Sequence, residues 1–382
     1  MHLTTLKLQH FRNHLDSTFE FGVGTNVLLG DNGQGKTNVI EAISYLCLTK
    51  SFYAGSDMLV LNFEKEMFEV EGTFILERGI EHNVRVAYSK PQAEKAYTIN
   101  RRRVEPFSSV IGKFPVVICS PEHAPITMGG PGERRRFIDF VISQSSETYF
   151  HDLLEYRRVL KQRNKILFDA RVTRSDCGEV IGSWDEQLVK LGCRLMYRRK
   201  MFVEEFQSFI SSAYHHLVGS EEEPKIEYKP LTKLSGSPGE HEIEELLRYE
   251  LAEKSNEEKR MGTTLVGPHR DEIGFQINGL DLRKFASQGQ HKTFLIALKI
   301  GEFFYLKERC NETPILLLDD VFSELDEHRA EHLLQFVGSL SQTFITSTNP
   351  QVFEGPRLTK ERNRKFLIEN GAVVGRKAAA AV

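Results

Sequence analysis

The sequence predicts an α/β fold in which mixed sheets are interrupted by a mainly helical insertion. Three observations predict it. Residues 30–37 read GDNGQGKT, between an apolar β-leaning run and an amphipathic helical one. Residues 315–320 read ILLLDD, the pattern of a buried strand ending in two acids. Between Pro121 and about residue 259 the periodicity is mainly helical.

The elements follow in order. Residues 3–8 alternate apolar and polar, as do Phe19 and Phe21, residues 68–76 and residues 82–88, so all read as strands. Residues 97–104 predict a hairpin around Asn100-Arg101, and residues 116–119 a short apolar strand stopped by Ser120-Pro121. Pro125, Gly129-Gly130, Pro131 and Gly132 mark a loop, and helix begins at Glu133. Two long helices are expected, over about 151–169 and about 184–214. In the second, Trp184, Leu188, Leu191, Leu195, Phe202, Phe206 and Phe209 recur at three, four and seven, which makes one packing stripe. Residues 221–239 read as polar loop around a short strand at 226–228, and a helix follows over about 243–258. Strand patterning returns at 264–266 and 273–277, and a last short strand starts near Arg364. The expected division is one lobe from 1–120 and 260–370, an inserted lobe from 121–259, and a flexible tail from 371–382.

Composition bounds the function. At 382 residues the chain suits two domains or one core with an insertion. Its 40% hydrophobic and 27% charged residues are those of a soluble globular protein. No apolar run reaches bilayer-spanning length, and the alternating N-terminus does not read as a signal peptide. Five scattered cysteines without a CxxC argue for a reducing cytosol and against a disulfide or zinc framework. The net charge of −3 gives no bulk support to nucleic-acid binding, which would need a local basic face.

The octet fits the phosphate-loop pattern: Gly30, Asp31, Asn32, Gly33, Gln34, Gly35, Lys36, Thr37. Its glycines allow positive φ and close backbone approach, so successive N–H groups wrap a phosphate at a helix N-terminus. Lys36 is expected to reach the outer phosphates of ATP and Thr37 to ligate Mg²⁺. Asp319 is expected to hold Mg²⁺, and Asp320 to act as general base on the attacking water. Upstream, Ser287, Gly289 and Gln290 lie in SQGQ, which opens an amphipathic helix. Alone, that stretch reads more readily as an N-cap; beside the other motifs it reads as a second anion site. Downstream lies SELD, Ser323 to Asp326.

Phosphate loop, SxGQ, hhhhDD and SELD, in that order, resemble the ATP-binding-cassette superfamily. That resemblance implies an ATPase head, built of mixed sheets around a phosphate-loop core, with no long coiled coil. It also implies that Ser287 and Gly289 serve the nucleotide of a partner copy, so that ATP joins two heads. A transporter-type ATPase subunit is one alternative, but FASQGQ replaces LSGGQ, and Ser347 or Thr348 stands near the expected switch histidine. The roughly 250 residues between the loop and SQGQ are too few for a coiled-coil arm and lack sustained heptads.

FRN at Phe11, SPE at Ser120, GGPGERRRFID at Gly129, GPHRDE at Gly267, ASQGQHKT at Ala286 and LLLDDVFSELD at Leu316 together resemble the RecF family of recombination mediators. The resemblance spans nearly the whole chain, although the acidic pair is Asp-Asp where many superfamily members carry Asp-Glu. It implies a cytoplasmic, nucleoid-associated, ATP-dependent dimer that binds DNA at gaps and single-strand/double-strand junctions. Such a protein works with RecO and RecR, helps load RecA, and serves replication restart and SOS induction. Slow, DNA-stimulated hydrolysis is expected; a nucleotide-gated scaffold without meaningful hydrolysis is the other alternative.

The family also implies that Arg12 and Asn13 lie near the nucleotide, although Arg12 reads equally as a surface residue. His269, Arg270 and Asp271 read either as site residues or as a salt-bridged corner. For DNA, the candidates are Arg134, Arg135 and Arg136, with Gly and Pro exposing an arginine edge, and the helix bearing Arg157, Arg158, Lys161, Arg163 and Lys165. The same cations are also what a solvated helix face would carry.

Overall fold

The computed structural model describes residues 1–218, 221–232, 238–322, 333–334, 336–338, 340–353 and 362–378. The chain divides into two compact units, Met1–Ala124 with Leu298–Val382, and Pro125–Ala297.

The first unit opens with β1 (His2–Phe11), β2 (His14–Glu20), β3 (Thr25–Leu29) and α1 (Lys36–Leu48). It continues through β4 (Met67–Ile75), β5 (Glu81–Ser89), β6 (Glu94–Ile99), β7 (Arg102–Arg103) and β8 (Val116–Cys119). The second unit holds α2 (Pro125–Met128), α3 (Pro131–Ser145), α4 (Glu147–Thr173), α5 (Gly178–Val218), β9 (Pro224–Lys229) and α6 (Glu240–Met261). After β10 (Glu272–Ile277), β11 (Leu280–Asp281) and α7 (Leu282–Phe285) comes α8 (Gln288–Arg309), within which the division falls. The first unit then resumes with β12 (Ile315–Leu318), β13 (Thr343–Ser347), β14 (Arg364–Glu369) and β15 (Ala372–Ala378).

Two six-stranded sheets build the first unit, ordered β2-β1-β4-β5-β6-β7 and β15-β14-β3-β13-β12-β8. The first sheet is antiparallel and alternates along β4, with Phe68, Val70, Gly72 and Phe74 inward. Helix α1 covers that face, and a Cβ on Gly72 would lie 2.5 Å from a methyl of Leu46. In the second sheet β14, β3, β13, β12 and β8 all run parallel. Its strands β8, β12 and β13 are buried at every position, as strands covered on both faces must be.

In the second unit α3, α4, α5 and α6 pack with one another, and α3 and α5 also pack on the three-stranded sheet β11-β10-β9. The stripe on α5 is real: Leu188, Leu195, Phe202 and Phe206 are buried, while Trp184, Leu191 and Phe209 sit half-buried at its margin. Gly192 lets α5 lie close, since a Cβ there would meet Pro268, Leu247 and Tyr156 at 3.4–3.5 Å. No helix among the described residues is long and apolar enough to cross a membrane.

Three expectations change. The insertion runs over 125–297 rather than 121–259, because β9, β10 and β11 form their own sheet within it. Ser287 to Gln290 therefore belong to the helical unit. Residues 264–266 form no strand; Thr264 is instead hydrogen-bonded to Asn164 and Arg163. Most of the expected tail is strand, since β15 pairs with β14 around the Asn370-Gly371 turn. The SELD residues Ser323, Glu324, Leu325 and Asp326 lie outside the described residues.

Candidate nucleotide-binding site

Parallel strands bring their C-terminal ends to one edge, where ligands of open α/β sheets bind. The GDNGQGKT loop leaves β3, Asp319 and Asp320 follow β12, and β13 lies between the two strands. A sequence separation of 282 positions, from Thr37 to Asp319, is thus cancelled by sheet order.

The loop has the backbone its glycines were expected to allow. Gly30, Gly33 and Gly35 have φ of 150°, 79° and 108°, and Gly35 is the N-cap of α1. A Cβ at Gly33 would meet nothing within 4 Å, so the loop is open there. Lys36 Nζ donates to the carbonyls of Gly30 and Asp31, both at 2.7 Å. Burial pulls the Lys36 ammonium below its ordinary pKa, against the opposing charges of Asp320, Asp319 and Asp31.

Asp319 is the hub. Its Oδ1 accepts from Thr37 Oγ1 at 2.8 Å and from Thr346 Oγ1 at 2.7 Å. Burial pushes its carboxyl up, with the Asp320 charge adding to that; the two hydroxyls and Lys36 oppose the shift. Asp320 is exposed at φ 51°, and its backbone N–H donates to Thr346 Oγ1 at 2.9 Å. Thr346 therefore orients both acids at once. Sequence reasoning placed the switch candidates one and two residues later. Ser347 is occupied in a turn with Asn349, while Thr348 is exposed at the end of β13.

These donors suit a hard cation: a hydroxyl and a carboxylate oxygen beside a phosphate loop match the oxygen preference of Mg²⁺. Among the described residues no cluster of three or more His, Cys, Asp and Glu would hold a metal by itself. Mg²⁺ characteristically keeps water and phosphate oxygens beside one or two protein ligands, so the sparse donor set fits it.

Arg12 and Asn13 take different places. Arg12 pairs in bidentate fashion with Glu41 through Nε and Nη2, each at 2.8 Å, and gives Nη1 to the Leu59 carbonyl at 2.8 Å. Its guanidinium also lies over Tyr53, 5.7 Å from the ring centroid. Arg12 is thus held in a structural pair with a buried glutamate. Asn13 supports the loop itself, with Nδ2 3.1 Å from the Gln34 carbonyl and Oδ1 accepting from Asn38 at 2.7 Å. His14 was not anticipated. It is buried, Nε2 lies 3.1 Å from the Gly35 carbonyl, and burial lowers its pKa.

The SQGQ stretch forms a reciprocal cap on α8. Ser287 Oγ accepts from Gln290 N at 3.2 Å, and Gln290 Oε1 accepts from Ser287 N at 2.9 Å. Ser287 and Gly289 are exposed, and so is Phe285 just before them, at 65%. The GPHRD stretch is the salt-bridged corner. Asp271 accepts from Leu231 N at 3.0 Å and from the Tyr228 hydroxyl; His269 Nδ1 lies 2.7 Å from Tyr156 Oη.

The basic residues separate by helix face. Arg134 falls with Phe137, Ile138 and Val141 on the buried side of α3; it binds Glu272 at 3.0 Å and the Gly129 carbonyl at 3.0 Å. Arg135 donates to the Asp271 carbonyl. Only Arg136 faces water, its side chain 73% exposed beside Glu133. The expected arginine edge is therefore corrected: Pro131 starts a helix whose first turn directs two arginines inward. Arg163 is corrected likewise, for it lies in the buried row Tyr156, Val159, Arg163, Leu167, Ala170. It pairs with Glu258 and Asp185, each at 2.6 Å. Arg157, Arg158, Lys161 and Lys165 are exposed on α4.

The family model RecF/RecN/SMC N terminal domain matches residues 2–362. The DNA replication and repair protein RecF of Chloroherpeton thalassium is 43% identical over 356 residues, covering 92% of this chain and 96% of that protein. RecF of Salinibacter ruber is 40% identical over 364 residues, covering 94% and 88%. A solved structure of the recombination mediator protein RecF with ATP, of the RecFOR pathway, matches at TM-score 0.89 and 31% identity over 98% of this chain and 97% of that one. An Smc head bound to the C-winged helix domain of ScpA shares the fold, at TM-score 0.55 and 15% identity, over 99% and 98%.

Proposed function

The chain belongs to the RecF family of SMC-like ATPases, and from that membership we propose that it is an ATP-dependent DNA-binding protein of recombinational repair. One observation carries the reading. Thr37 of the phosphate loop and Thr346 of the intervening strand meet on one oxygen of Asp319, joining the loop to the acidic strand end.

In this reading the N–H groups of residues 33–37 and the Lys36 ammonium hold the triphosphate. Thr37 and Asp319 hold Mg²⁺, which neutralises phosphate charge when bound. Asp320 orients and deprotonates the attacking water, with its backbone fixed by Thr346. Thr348 takes the position of the switch residue. Ser287 and Gly289, exposed at the start of α8, close on the nucleotide of a second copy. The ATP-bound dimer grips DNA at gaps or single-strand/double-strand junctions, and with RecO and RecR it promotes RecA loading. Hydrolysis is slow and DNA-stimulated and acts as a switch.

Sedimentation velocity with Mg·ATP, with and without duplex DNA, tests this. The wild type is expected to shift to dimer. Lys36→Arg should lose both nucleotide binding and dimer, whereas Ser287→Arg should bind nucleotide and stay monomeric. A wild type that remains monomeric under every condition contradicts the proposal.

A further inference from the structure

A phosphate loop works only if its amides converge on the anion. In a trans peptide the C=O of one residue and the N–H of the next point in opposite directions. Whatever fixes the carbonyls of Gln34 and Gly35 outward therefore aims the amides of Gly35 and Lys36 inward. Those carbonyls are held by groups outside the loop. The Gln34 carbonyl accepts Gly371 N–H at 2.9 Å as well as Asn13 Nδ2 at 3.1 Å, which uses both of its lone pairs. The Gly35 carbonyl accepts Val39 N–H of α1 at 3.3 Å and also faces His14 Nε2 at 3.1 Å; since a carbonyl only accepts, that nitrogen carries the proton.

Both holds lead to the same turn. Asn370 N–H donates to Gln34 Oε1 at 2.6 Å. His14 Nδ1 lies 3.0 Å from Ser17 Oγ, and Ser17 Oγ donates to the Gly371 carbonyl at 2.8 Å. Gly371 has φ 74°, and a Cβ on it would fall 2.1 Å from the Asn13 carbonyl oxygen, so the turn fits against the β1–β2 connection at Asn13 and His14 only as glycine. At the loop entrance, a Cβ on Gly30 would lie 2.3 Å from the Ile368 carbonyl of β14. Yet β15 is an edge strand, half or fully exposed over residues 372–375.

We propose that the β14–β15 turn is a brace that sets the phosphate loop in its anion-binding shape, with Ser17, His14 and Gly371 as positioning residues for nucleotide. The inference rests on the ATP-binding reading above. It assigns the Asn370-Gly371 turn a role in nucleotide affinity.

The test uses the full chain with Mg·ATP as the calorimetric ligand, and hydrogen exchange of the free protein as a second readout. Ser17→Ala removes the hydroxyl between His14 and Gly371 and should weaken Mg·ATP roughly tenfold, the worth of about one hydrogen bond. Amides 33–36 should exchange faster, while protection in the central strands β12 and β13 stays at the wild-type level. Ser17→Thr keeps the hydroxyl and should restore affinity to within about threefold. Gly371→Ala should weaken binding further; if it fails to fold, Ser17→Ala still decides. Wild-type affinity in Ser17→Ala overturns the brace, as does a loss matched by lost protection throughout the sheet. Should the wild type itself fail to bind Mg·ATP, the nucleotide reading falls. The brace is then judged on loop exchange alone: faster amides in Ser17→Ala support it and unchanged ones overturn it.

Discussion

Thr346 makes one hydroxyl serve two acids. It donates to Asp319 Oδ1 and accepts from the Asp320 amide, so one side chain fixes both the Asp319 carboxylate and the Asp320 backbone. Thr346→Val preserves shape but removes both bonds. A hydrogen bond to a charged group is worth about 1.5–3 kcal/mol, so single-turnover ATP hydrolysis is expected to fall roughly tenfold to a hundredfold. Nucleotide binding, carried by the loop and Lys36, should change far less. Hydrolysis at the wild-type rate would remove Thr346 from the site. The residue was visible in TFITSTN, but the local pattern pointed to Ser347 or Thr348 and not to Thr346. That choice depends on which side of β13 faces β12, a matter of sheet order.

At the scale of elements, α3, α4 and α5 are joined to the β10 entrance by a buried polar network. Asp139 accepts from Tyr149 at 2.6 Å and from Arg199 at 2.9 and 3.0 Å, and Arg199 donates to the Pro268 carbonyl at 2.6 Å. His269 closes the corner between Tyr156 and the Thr264 carbonyl. Burial lowers its pKa to about 4, and the nearby Arg270, Arg135 and Arg199 charges add to the shift. Between pH 4 and 6.5 the unfolded chain binds this proton and the folded one does not, so stability rises with pH across that window. The contribution is full above pH 6.5 and is lost on acidification toward pH 4, by about 3 kcal/mol at most. Urea unfolding of wild type and His269→Asn at pH 7 and pH 4.5 checks this: the gap between them should shrink at the lower pH. A gap that widens would show the imidazole to be charged in the folded state. The helices themselves were legible, since apolar stripes set their faces. The burial of Arg134 and Arg163 was hidden by treating arginine as surface, although each stands at a stripe position of its helix.

For the whole molecule, the separation of structural from exposed cations makes a sharp test of DNA binding. Arg157, Lys161 and Lys165 recur every fourth residue on the exposed side of α4, with Arg158 beside them. Arg158→Glu and Lys161→Glu should weaken binding to gapped DNA uniformly across sequences, and each should lower the salt slope by about one. Arg163→Ala should act on folding instead, costing about 3–5 kcal/mol by leaving buried Glu258 unpaired. A salt slope unchanged in both α4 reversals would move the DNA contact elsewhere.

By itself the sequence determined the phosphate loop, the acidic strand end, the capped helix at Ser287 and the alternation between sheet and helix. Each of these is written in residues a few positions apart, where chain geometry alone sets the neighbours. Only the tertiary structure decided that Thr346 bridges the acids, that Arg12 belongs to Glu41, that two of three consecutive arginines turn inward, and that residues 370–371 hold Gln34. Those pairings join groups from 26 to more than 300 positions apart. Which side chain satisfies which buried polar group is settled by strand order and packing, and no local pattern encodes it.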